Sequence, residues 1–110
     1  MRYDTSMQGP YLLVNIREDL TIHSDPSRIK QIVAELRERG HTRIAIAFRP
    51  DTFTSSRLIA ALVSCCQFMS RRDGELAVVA NNERMQENFA ILNVAHNDCL
   101  RIVHDESELA

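Results

Sequence analysis

Two serines carry the sharpest chemical possibility in this chain. Asp51-Thr-Phe-Thr-Ser-Ser-Arg-Leu-Ile59 reads as a loop that runs into the start of a helix, directly after the most regular strand pattern. Ser55 and Ser56 fall where the first backbone N–H groups of a helix have no intrahelical partner. A hydroxyl there caps the helix. A phosphate there is also stabilised, because free N–H groups and the helix dipole favour negative charge. Phosphorylation would add roughly −1.5 to −2 of charge. Local chemistry alone favours the plain cap.

Other reactive side chains are scattered. His96 and Cys99 stand three apart, which is half of a zinc-site spacing, but adjacent Cys65 and Cys66 do not supply the other half. The expectation is no metal and no cofactor. His23, His41 and His104 are isolated and read as surface histidines. Gly9, Gly40 and Gly74 are the only glycines, each at a turn or helix end, so no phosphate-cradling glycine loop exists. No Ser/His/Asp arrangement has a recognisable local context. The residues therefore argue against an enzyme.

The elements that must position the serines follow from periodicity. Arg2–Met7 reads as a first strand, closed by Gly9-Pro10, and Tyr11–Ile16 is a denser apolar strand. Arg17–Ser24 reads as a polar loop. Asp25-Pro26 predicts an N-cap and first helical position, and Ile29, Ile32, Val33 and Leu36 make one apolar helix face that ends at Gly40. In Arg43–Phe48, Ile44, Ile46 and Phe48 share one face, with Ala45 and Ala47 on the other. This predicts a central strand covered by helices. The second helix is expected from Thr54 or Ser55 to about Arg72, with Leu58, Ile59, Leu62, Cys65, Cys66 and Met69 inward. Glu75–Ala80 is a strand, and Asn81 or Asn82 caps a helix over roughly residues 83–92. Phe68, Met69, Met85 and Phe89 are expected in the core. Leu100–Val103 is a last strand, and the tail from Asp105 begins a helical turn. The order β-β-α-β-α-β-α-β implies an α/β fold with crossover connections.

Composition sets the frame. The 110 residues fit one domain, spanning 1–110, with 45% hydrophobic and 25% charged residues. A formal charge of −2 with no basic stripe argues against nucleic acid, which demands clustered Lys and Arg. No apolar run approaches the roughly 20 residues of a membrane span, so no direct membrane insertion is expected. Three cysteines, two of them adjacent, are not a disulfide framework, and reduced thiols point to the cytoplasm.

Along most of its length the chain resembles the STAS domain family, typified by bacterial anti-sigma factor antagonists. Phe53-Thr54-Ser55-Ser56-Arg57-Leu58 is similar to that family's Ile-Asp-Ser-Ser-Gly-Leu signature, and it follows the strand Arg43–Phe48. Arg71-Arg72-Asp73-Gly74 leading into Glu75–Val79 is similar to its Arg…Gly-Gly-x-Leu-x-Leu-Val segment. Met85, Phe89, Ile91 and Leu92, then Leu100–Val103, look like its third helix and last strand.

The resemblance implies a mostly parallel mixed sheet of about five strands flanked by helices. It also implies a partner switch. An anti-sigma factor that is also a serine kinase would phosphorylate Ser55, with Ser56 beside it, and a phosphatase would reset it. Partner binding would fall on Thr21, Phe53, Thr54, Ser55, Ser56, Arg57 and Leu58. The signature departs at two places: Thr54 stands where the family has Asp, and Arg57 where it has Gly. The acid common in the loop before the first helix aligns with Thr21. These departures leave a second expectation open, a phosphorylation-independent scaffold or an accessory subunit of a signalling or transport assembly.

Overall fold

The computed structural model describes residues 1–95 and 99–110. The chain begins with a hairpin, β1 (Tyr3–Gln8) and β2 (Tyr11–Ile16), paired antiparallel with Gln8 opposite Tyr11. Gly9 and Pro10 form the two-residue turn. Gly9 has φ +57°, and proline fixes a negative φ at the next position, a combination that fits a type II′ hairpin turn. After the hairpin the chain alternates: α1 (Ser27–Glu38), β3 (Arg43–Ala47), α2 (Ser56–Ser70), β4 (Glu75–Val79), α3 (Glu83–Ala95) and β5 (Leu100–Val103). A 3₁₀ turn, η1 (Glu106–Leu109), follows.

The five strands form one sheet in the order β1-β2-β3-β4-β5, parallel from β2 onward. Because the order advances one strand at a time, right-handed crossovers send every helix to the same face. The core shows this. Val14, Ile44, Ile46, Leu76, Val78 and Leu100 pack in one cluster with Ile29 and Ile32 of α1, Leu62 and Met69 of α2, and Met85 and Phe89 of α3.

The opposite face holds a second, smaller cluster: Tyr11, Leu13, Ala45, Ala77, Val79 and Val103, with Leu109 of η1 packed among them. The mostly parallel sheet with helices packed on it is therefore as the sequence predicts, but the covering of the alanine face differs. Ala45 is fully buried without a helix above it. Small side chains there leave a shallow layer that one short turn and a few long side chains can roof. The Tyr11 hydroxyl donates to Glu75 (2.7 Å), and Arg101 donates to both the Tyr11 hydroxyl (3.1 Å) and the Glu108 carbonyl (3.0 Å).

Two local expectations shift. The α1 N-cap is Pro26, not Asp25; Asp25 instead accepts from the backbone N–H and the hydroxyl of Ser27, one residue inside the helix. The Arg17–Ser24 loop is less polar in effect than in composition, since Leu20 is buried in the core.

Candidate functional site

The β3–α2 junction is built around one capping bond. Ser55 is the N-cap of α2 with extended backbone (φ −77°, ψ 162°), and its hydroxyl accepts from the Leu58 N–H at 3.1 Å. Leu58 is 2% exposed, so its side chain belongs to the core, as its helix spacing predicts, and not to the partner-binding surface that the resemblance implies. It anchors the helix start while its N–H completes the cap. Ser56 is the first helical residue and is exposed.

The loop before the cap is tied to the β2–α1 loop. The Phe53 N–H donates to the Leu20 carbonyl at 2.8 Å, and Arg49 pairs with Asp19 at 3.0 Å. Burial of Leu20 holds one side of this junction, and the turn Thr52 N–H to Arg49 carbonyl (3.1 Å) shapes the other. Both loops leave the carboxyl ends of neighbouring parallel strands.

On this platform two large apolar side chains face outward, Ile22 at 60% exposure and Phe53 at 47%. Thr21 is exposed beside Ile22, its hydroxyl accepting from the His23 N–H at 3.1 Å. Thr54 is half-buried between Phe53 and Ser55. The structure thus brings together Thr21, Phe53, Thr54, Ser55 and Ser56 on two linked loops. Ile22 belongs with them and was hidden in the sequence, because its neighbours are polar and no period marks it.

Arg57 lies on the outer side of α2, with Nη2 3.8 Å from Asp25 Oδ1; both side chains are largely exposed. The Ser27 hydroxyl and N–H hold the Asp25 carboxyl below its ordinary range, with Arg57 adding to the effect. Asp19 and Asp25, both between β2 and α1, thus each pair with an arginine of residues 49–57.

The Cys65 and Cys66 thiols offer little nucleophilicity. Burial pushes the Cys65 thiol up to about 12, and burial together with the neighbouring Cys99 raises Cys66 as well. Protonated thiols are weak nucleophiles and weak metal ligands. His96, the other half of the His96–Cys99 pair, lies outside the described residues. Among the described residues, no three His, Cys, Asp or Glu side chains gather as a metal cluster. No helix among them is long and apolar enough to cross a membrane.

No family model and no curated protein matches the sequence. Among solved structures, the chain is similar to the NMR structure of the protein TM1081, with a TM-score of 0.74 and 16% identity over 98% of this chain and 85% of that one. At this identity the likeness establishes a shared fold.

Proposed function

We propose that the chain is a protein-binding module of the anti-sigma factor antagonist type, docking through the linked β2–α1 and β3–α2 loops. The observation that carries the reading is the pair of outward-facing apolar side chains, Ile22 and Phe53, beside the serine-capped start of α2. Apolar and aromatic anchors surrounded by polar residues suit a protein interface, where a few such side chains supply most of the affinity. The five-strand mixed sheet is compatible with a STAS-like architecture, in which the element order matches the resemblance.

In this reading the partner is an anti-sigma factor with serine kinase activity, and phosphorylation at Ser55 or Ser56 ends the complex. A dianion beside Thr54 and the apolar Phe53 must be desolvated when the partner returns, a cost that disfavours the complex. Arg57, loosely paired with Asp25, is free to turn to the new phosphate. Ser56 is the more accessible of the two hydroxyls, since that of Ser55 is engaged in the cap.

The same engagement of Ser55 favours a second reading, a binding module that works without phosphorylation. One experiment separates them. The tagged protein is incubated with host lysate and ATP, and both bait and captured proteins are analysed by mass spectrometry. Recovery of a serine kinase with phosphate on Ser55 or Ser56 supports the switch, and recovery of a stable partner with no phosphate supports the scaffold. In either case Ile22→Ser with Phe53→Ser must lose the partner by at least about tenfold, the scale of one or two interface anchors. Unchanged capture by that double variant would overturn the docking surface itself.

A further inference from the structure

Cys66 and Cys99 meet where α2 packs beside the start of β5. Cys66 lies in the second half of α2 and is 1% exposed in the main core. Cys99 stands just before β5. It is half-buried, packs against the same core, and lines an open pocket with Glu75, Leu76, Leu100 and Arg101. The two thiols share a hydrogen bond. The next residue is fixed from two sides: the Leu100 N–H donates to Asn93 Oδ1 of α3 at 2.8 Å, and Leu100 pairs with Leu76 of β4. Cys65 has other surroundings. Successive helix residues point roughly 100° apart, and the charge that Cys65 feels is Lys30 of α1.

A buried cysteine is ordinarily a small apolar side chain. A core thiol in contact with the thiol of a more accessible cysteine is also the arrangement of a redox-sensitive pair, in which the second cysteine resolves what the first one starts.

We propose that Cys66 and Cys99 form a reversible intramolecular disulfide when the protein meets a peroxide. The Cys99 thiolate attacks one peroxide oxygen, the O–O bond breaks, and the departing hydroxide takes up the proton that the Cys99 thiol released. Cys99 is then a sulfenic acid, oxidised by two electrons, and the peroxide has been reduced by two. The Cys66 sulfur next attacks the Cys99 sulfur. The S–O bond breaks, the S–S bond forms, and the Cys66 proton leaves with the hydroxide as a second water. Cys66 alone is a poor nucleophile, but its contact with Cys99 makes this step intramolecular. A small dithiol reverses the bond by exchange. The disulfide ties α2 to the start of β5 and encloses β4 and α3 in the loop it closes. Closing a long loop of the unfolded chain favours the folded state. The inference does not depend on the docking reading, because it is tested on the isolated chain.

For the test, the reduced full chain is treated with hydrogen peroxide, its remaining thiols are blocked with iodoacetamide, and it is digested with trypsin without reductant. Cleavage after Arg57, Arg71, Arg84 and Arg101 places Cys65 and Cys66 on residues 58–71 and Cys99 on residues 85–101. Mass spectrometry is expected to find these two peptides joined, with fragmentation placing the alkyl group on Cys65 and the bond on Cys66. Cys65→Ala keeps the link, while Cys66→Ala and Cys99→Ala each lose it. In urea denaturation the oxidised protein unfolds at a higher midpoint than the reduced one, and dithiothreitol restores the reduced midpoint. A link through Cys65, a sulfinic acid on Cys99 with Cys66 still free, or cross-links only between separate chains would overturn the proposal. So would a joined peptide that forms only in urea, or a midpoint that oxidation leaves unchanged or lowers.

Discussion

The Ser55 hydroxyl caps α2, and in the proposed function the same position meets the partner. As an N-cap it is worth about 1 kcal/mol, within a range of roughly 0.5–2. Ser55→Ala is therefore expected to lower unfolding stability by about that amount, measured by urea denaturation. Ser55→Asp keeps a capping oxygen and adds favourable charge at the helix start, so it should fold as well as the parent. That separation makes Ser55→Asp a clean probe of partner affinity. Thr52 has the opposite character. Its buried hydroxyl is unpaired, and Thr52→Val removes the unmet polar group at nearly constant shape. We expect Thr52→Val to raise stability by about 1 kcal/mol. Loss of stability in the same denaturation experiment would mean that the hydroxyl has a partner after all.

At the level of elements, much of the plan was legible. Ile29, Ile32, Val33 and Leu36 recur at helical spacing, and all four are buried. Five of the six inward positions expected of α2 are likewise buried, with Ile59 half-buried at the margin. What periodicity could not reveal is contact between distant segments. The tie from Phe53 to Leu20 and the Arg49–Asp19 pair span about thirty residues, and neither leaves a mark in the local pattern. Ile91 is a related case. It sits in an apolar stretch of α3, yet it is 71% exposed, because α3 buries Met85, Phe89 and Leu92 instead.

The terminal turn η1 is the element most sensitive to conditions. Asp105 and Glu108 form a capping box: Asp105 accepts from the Ser107 N–H at 2.8 Å, while Glu108 accepts from the Asp105 and His104 N–H groups. These bonds hold both carboxyls below their ordinary range. Groups with lowered folded values stabilise the turn at neutral pH and lose that contribution as pH falls through those values. As the pH falls below about 4, beneath the ordinary carboxylate range, η1 is expected to loosen from the sheet before the rest of the fold melts. The Tyr11 ring and Leu109 methyl signals in NMR would move first, ahead of Ile46. Simultaneous movement of all three would show that the turn and the main core unfold together.

At the scale of the molecule, the sheet is asymmetric. One face carries three helices and the main core; the other carries a thin layer of alanine and valine under a short turn. The alanines of β3 announced a close cover but not its identity. That cover comes from Leu109 and from Arg101 reaching Tyr11, ninety positions away in the chain. The proposed docking end lies across the mouths of β2 and β3, so a partner there touches loops and leaves both faces of the sheet undisturbed.

The strand order has one more consequence, in time instead of space. Every strand pairs with the strand just before it in the chain, so the sheet grows outward from the first hairpin as each helix–strand unit is added. Such sequential pairing keeps loop closures short and favours rapid folding. A nascent chain leaving a ribosome can therefore lay down each strand against a finished neighbour. The exception comes last: η1 returns to the opening hairpin, where Gly9 leaves room for the backbone of Ala110 that a side chain would fill. Residues 109 and 110 thus close over the hairpin that begins the sheet.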